Sequence, residues 1–111
     1  MPKQKIILKG IPASPGVAKG KVKVILKPSE NSGMKEGNIL VTVMTSPLFV
    51  PAIQKAKAII TDVGGLTSHA AIISRELGIP CVVNTKKATN ILKDGDKVKV
   101  DGTEGEVFLI K

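Results

Sequence analysis

The chain has no tryptophan and no tyrosine, two phenylalanines, one cysteine, one histidine and one arginine among its 111 residues. Each shortage closes off a class of function. A single thiol, Cys81, leaves no intramolecular disulfide, and one Cys with one His falls short of the three or four ligands a zinc site takes. Phe49 and Phe108 are too few to stack single-stranded bases, and Arg75 alone is too little for reading base edges, so nucleic acid is disfavoured as a partner. Residues 1–10 mix Lys3, Lys5 and Lys9 with one short apolar run, well short of a signal-peptide core or a membrane span. Neither a Walker loop nor G-x-G-x-x-G occurs, so no nucleotide site is visible. The expectation is a cytoplasmic chain without membrane contact and without a cofactor of its own.

What is present fits one domain over residues 1–111. Hydrophobic residues make up 42%, enough for a real core at this length. The net charge is +8, and every basic residue except Arg75 is a lysine. Such an excess reads as a solvated surface, with attraction to an acidic or phosphorylated partner as its alternative use.

Residues 5–9 and 19–26 read as strands, the second through the alternation Lys21-Val22-Lys23-Val24. Residues 10–16 between them read as turn chemistry and 27–37 as a polar loop. Residues 38–44, rich in β-branched side chains, predict a buried strand. Ser46 and Pro47 mark a helix start running to about residue 55, with Pro51 delaying or bending it. A short strand at 58–61 leads into Asp62-Val63-Gly64-Gly65, and 66–77 has helical spacing with Ala70, Ile73 and Leu77 on one face. Gly78-Ile79-Pro80 is a helix stop. Beyond it, 81–83 is a short strand, 88–92 a helical turn, and 97–100 with 106–110 a hairpin. The sum is an α/β domain with a mixed sheet and two or three short helices.

The chemistry concentrates in residues 61–83. A strand ends, Gly64 and Gly65 permit a tight turn, and Thr67 and Ser68 arrive where a helix needs a capping oxygen. His69 follows in the first helical turn, where unpaired amides and the helix dipole favour an anion. A neutral imidazole is a nucleophile near neutral pH, and its phosphorylated form is a labile dianion. Backbone amides and the Thr67 or Ser68 hydroxyl could hold that dianion, and small Ala70 and Ala71 leave room for it. A lone histidine beside a cap is more often just an ordinary polar residue, and spacing alone favours that reading. A Ser68-His69-Asp62 triad fails because adjacent side chains on a helix diverge and no G-x-S-x-G elbow is present. Arg75, six residues on, lies about 240° around the helix from His69 and reads as a surface pair or a charge at the helix C-terminus. Cys81 reads as a small core residue.

The run from Gly64-Gly65 through Thr67-Ser68-His69-Ala70 to Arg75 and Pro80 resembles the phosphohistidine motif of the phosphoenolpyruvate-utilising enzymes, whose members include phosphoenolpyruvate synthase, pyruvate phosphate dikinase and enzyme I of the sugar phosphotransferase system. Ser14-Pro15-Gly16, the segment from Gly37 to Pro47 and the closing strands from Asp94 are also similar to the family pattern, so residues 10–110 are covered. The wording TSHAAI-x-x-RELGIP is nearest the synthase branch. The resemblance implies a swivelling β/β/α domain whose His69 is the phosphoryl carrier, through Nε2. It implies partners in cis or trans: an ATP-grasp domain holding ATP and Mg²⁺, and a barrel binding pyruvate or phosphoenolpyruvate. Without them the chain is expected to turn over neither ATP nor pyruvate. Thr67 matches a threonine modified by a regulatory kinase in some relatives. Two positions depart from the pattern, Ser46 where many relatives have Asp and Asn84 in place of Gly. The competing reading is an unphosphorylated docking or nucleic-acid-binding module that uses its lysine surface.

Overall fold

The computed structural model describes residues 4–110; residues 1–3 and 111, the ends of the predicted domain and the start of the N-terminal segment, lie outside the described residues. Eight strands form one continuous sheet: β1 (Gln4–Lys9), β2 (Ile11–Ser14), β3 (Val17–Val24), β4 (Ile39–Thr42), β5 (Ala58–Thr61), β6 (Cys81–Val83), β7 (Lys97–Asp101) and β8 (Glu106–Ile110). Their spatial order is β1-β8-β7-β3-β4-β5-β6-β2.

Strand β3 is the seam. Its first part pairs antiparallel with β7, from Val17 opposite Asp101 to Lys21 opposite Lys97. Its last part, Val22 to Val24, pairs parallel with β4. The sheet folds over at this strand, so an antiparallel wing (β1, β8, β7) lies against a mainly parallel one (β4, β5, β6). The edges are stitched together by Gly102 N–H donating to Gly16 O at 2.8 Å and Gly10 N–H donating to Gly105 O at 2.9 Å. A Cβ on Gly102 would overlap the Ser14 carbonyl oxygen, so only glycine lets the layers approach this closely.

Two cores follow from this layering. Ile39, Val41, Ile60, Val82, Val98 and Val100 fill the space between the wings. Leu40, Ile59, Cys81 and Val83 point the other way, toward the helices, with Ala52, Ile53, Ala70 and Ala71. Strand β4 is buried at every position because alternate side chains enter different cores, which is why its sequence is apolar without alternation. The result is the expected β/β/α arrangement with a mixed sheet. Helices α1 (Val50–Ile53) and α2 (His69–Leu77) cover the outer face, while α3 (Ala88–Ile91) sets Ala88 into the core between the wings.

The differences from the sequence expectation are local. Residues 11–14, read as turn, form strand β2, antiparallel to β6, with a register shift between Pro12 and Ser14. Proline is tolerated there because β2 is an edge and bulged strand, needing no complete ladder. The predicted helix from Ser46 begins as a 3-10 turn, Pro47–Phe49, and turns α only at Val50–Ile53, as Pro51 at its start dictates. Helix α2 starts at His69 rather than residue 66, and its buried side is Ala70, Ala71 and Ser74. Leu77, expected on the buried face, is exposed, and Ile73 is half-buried. Gly78 ends the helix with φ 72° as predicted.

Candidate functional site

The site lies beyond the carboxyl ends of the parallel strands, where α/β sheets commonly place their chemistry. Strand β5 ends at Thr61, and Asp62 to Ser68 carry the chain over this edge to α2. Gly64 has φ +128°, and a Cβ there would stand 3.0 Å from Ser68 Oγ. Glycine thus supplies both the backbone angle and the space for the cap. Gly65 is not strained; its carbonyl accepts from Ser68 N at 3.1 Å and from Ser68 Oγ at 2.8 Å. Ser68 is the cap residue, accepting from Ala71 N at 3.4 Å.

His69 is therefore the first residue of α2 and is half-buried. Its Nδ1 lies 2.8 Å from the hydroxyl of Thr45, a buried residue just past the end of β4. Two adjacent parallel strands thus deliver the two partners: β5 leads to the histidine and β4 to the threonine. The contact sorts the ring nitrogens. When Nδ1–H donates to Thr45 Oγ1, the lone pair resides on Nε2. Thr45 was missed as a site residue by the sequence reading. Its signal was faint: a polar residue closing a β-branched apolar run.

The other predicted residues have different duties from those expected. The Ser68 hydroxyl proton is engaged by Gly65 O, so Ser68 is a cap and not a free donor for an anion. Thr67 is exposed and takes no part in capping. Ala70 and Ala71 are buried beneath the helix, so their small size serves close packing on the sheet rather than room for a phosphate. Arg75 is the basic residue in the last turn of α2, as expected, and among the described residues it forms no carboxylate pair. It donates to Leu66 O at 2.6 Å and to Ala13 O at 2.8 Å, clamping the loop before His69 to β2. Asp62 is likewise committed: its carboxylate accepts from Thr89 N at 2.9 Å and from Thr89 Oγ1 at 2.5 Å, fixing the start of α3. Ser46 Oγ accepts from Leu48 N at 3.3 Å, doing the capping work of an aspartate, and Asn84 adopts φ 59°, which asparagine tolerates. Cys81 is buried against Ala70, and burial pushes its thiol up to about 11, so it is an inert core residue.

The stretches that carry Thr45 and His69 are apolar and uncharged. Residues 38–54 and 63–74 contain no Asp, Glu, Lys or Arg. Val43, Met44, Leu48, Val63 and Leu66 are all exposed, Leu48 by 70%. Beside Thr45 a cleft of about 440 Å³ is lined by Leu26, Val43, Met44 and Leu48.

Comparison with known proteins adds three findings. Residues 34–105 match the family described as "PEP-utilising enzyme, mobile domain". The chain is 62% identical over 104 residues to a probable phosphoenolpyruvate synthase of Archaeoglobus fulgidus, covering 94% of this chain but 14% of that protein, so it spans about one seventh of the relative's length. Among solved structures, it superposes on enzyme I (TM-score 0.61, 37% identity, 71% of this chain and 33% of the other) and on Thermococcus kodakaraensis aconitase X (TM-score 0.67, 26% identity, 94% and 98%). The second likeness illustrates that this fold is shared by differently named proteins, so function must be argued from the site.

Proposed function

The chain belongs to the mobile-domain family of the PEP-utilising enzymes, and on that premise we propose that it is a phosphoryl carrier in which His69 is phosphorylated at Nε2. The observation that supports this reading is the pairing of His69 Nδ1 with Thr45 Oγ1 at 2.8 Å; in the tautomer in which Nδ1–H donates, Nε2 keeps the free lone pair. The donor is ATP held with Mg²⁺ on an ATP-grasp partner domain, and the acceptor is pyruvate in a separate barrel, in cis or in trans. Phosphoenolpyruvate forms on the forward path, and the chain works in the cytoplasm.

In the loading step Nε2 attacks phosphorus in line; the N–P bond forms as the bond from phosphorus to the donor's bridging oxygen breaks. The proton stays on Nδ1, held by Thr45, so the phosphorylated ring is formally an imidazolium. Onward transfer releases neutral imidazole, a good leaving group, and restores the starting state. The first amides of α2 have no carbonyl within the helix to bond, and with the helix dipole they face a developing dianion without trapping it in an ion pair.

The test is incubation with ATP, Mg²⁺ and the cognate nucleotide-binding partner. Acid-labile, base-stable phosphate should appear on the intact chain and vanish in His69→Ala. An unlabelled chain beside a partner shown to be active would refute the carrier role. Thr67 is proposed as a regulatory position because it is exposed two residues before His69 and free of structural duty; a phosphate there adds like charge beside the transferred group. Transfer by protein phosphorylated at Thr67 should be blocked, and unimpaired transfer removes this role.

A further inference from the structure

The outer face of the antiparallel wing, remote from the chemistry of His69, breaks a rule of sheet pairing. Lys19 stands directly opposite Lys99, and Lys21 directly opposite Lys97. Their neighbours Ala18, Val98 and Val100 turn inward and are buried, so the four ammonium groups share the solvent face. Like charges placed opposite each other repel, and strands normally avoid the arrangement or answer it with a carboxylate. Among the described residues the only ion pair is Lys23–Asp94 at 3.0 Å, so none of the four has such an answer. The acids of the same face, Asp101 and Glu106, stand opposite each other at its other end. Lys57 adds a further cation, its Nζ donating to the Lys19 carbonyl at 3.4 Å.

Between these lysines lies an apolar cleft of about 300 Å³, lined by Lys19, Gly20, Lys21, Lys97 and Ile110. We infer that this face is a docking surface for an acidic protein segment, whose carboxylates meet the four lysines and whose single apolar side chain enters the cleft at Ile110. Lysines held opposite one another in a folded domain with no carboxylate to answer them fit a surface completed by something else. A nucleic acid fits less well. The face has no arginine fork, and its aromatic ring, Phe108, is already covered by Lys99 Nζ at 4.3 Å from the ring centre, leaving nothing on which a base could stack. None of this depends on whether His69 carries phosphate.

The experiment uses the full chain, isotopically labelled, titrated at low salt with a short glutamate-rich peptide carrying one central valine. Amide shifts should centre on β3, β7 and β8 and leave the His69 loop unmoved, with binding falling as salt rises. The Lys97→Glu, Lys99→Glu double variant should weaken binding roughly tenfold or more, and the corresponding Gln variant less. The same spectra establish that each variant is folded. Shifts that avoid this face, equal binding by a peptide lacking the valine, or tighter binding of an oligothymidylate at the same residues would each overturn the inference, the last in favour of nucleic acid.

Discussion

The edge around His69 and the face of the antiparallel wing are opposite solutions to handling charge. The edge carries the residue proposed to bear a dianion, yet residues 38–54 and 63–74 contain no charged side chain. The wing carries no group-transfer chemistry, yet it sets Lys19 opposite Lys99 and Lys21 opposite Lys97. Amides and the helix dipole can stabilise the negative charge of a phosphoryl group without an adjacent ammonium. Lysines are useful where long-range attraction is wanted and chemistry is not. On the readings proposed above, fixed dipoles at one edge would serve transfer and mobile charges on the other face would serve steering.

The largest break in this comparison is at the edge: His69→Ala should abolish acid-labile labelling while leaving the circular dichroism spectrum unchanged. Next, Thr45→Val removes the partner of Nδ1 and should slow loading about ten- to a hundredfold, with Thr45→Ser recovering most of the rate in single-turnover assays. Third, Arg75→Ala frees the loop that Leu66 O anchors and should lower stability by about 1–2 kcal/mol in urea unfolding. A fourth effect comes from Cys81, whose thiol is raised from an ordinary 9.0 to about 11. The folded state keeps that proton where the unfolded state loses it. Its contribution is therefore intact below pH 9 and declines as pH rises toward 11, a decline that Cys81→Ala should remove from the pH dependence of unfolding. The smallest effect sharpens the comparison from the other side. Lys97→Glu turns a repulsive pair with Lys21 into an attractive one and should stabilise the free domain by about 0.2–1 kcal/mol, less in high salt.

Much of the architecture was legible because local signals agreed. The apolar run at 39–42, the Gly78 stop and the closing hairpin each combine propensity with punctuation, and each became the expected element. Strand β2 was not legible: Gly-Ile-Pro-Ala-Ser-Pro-Gly is turn chemistry locally, and only pairing with β6 makes it a strand. Leu77 fitted the apolar spacing of α2, but the helix rests on the sheet through Ala70, Ala71 and Ser74, whose small size lets it sit close. At the site, the Gly64 turn and the Ser68 cap were readable from residue type alone. The actual contacts of Arg75 were not, because its acceptors are backbone carbonyls, which every residue possesses.

By itself, the order of residues determined that a histidine would sit in the first turn of a helix behind a glycine turn and a hydroxyl cap from Thr67 or Ser68, since those are short-range matters of backbone angle and hydrogen bonding within a few residues. Only the tertiary structure decided that Thr45 meets the Nδ1 of His69 and that lysines from β3 and β7 face one another. Thr45 and His69 are 24 residues apart, and Lys19 and Lys99 lie on strands distant in the chain. Parallel pairing of β4 with β5 sets the first relation and the antiparallel register of β3 with β7 the second. Register is a property of packed layers, which no local pattern contains.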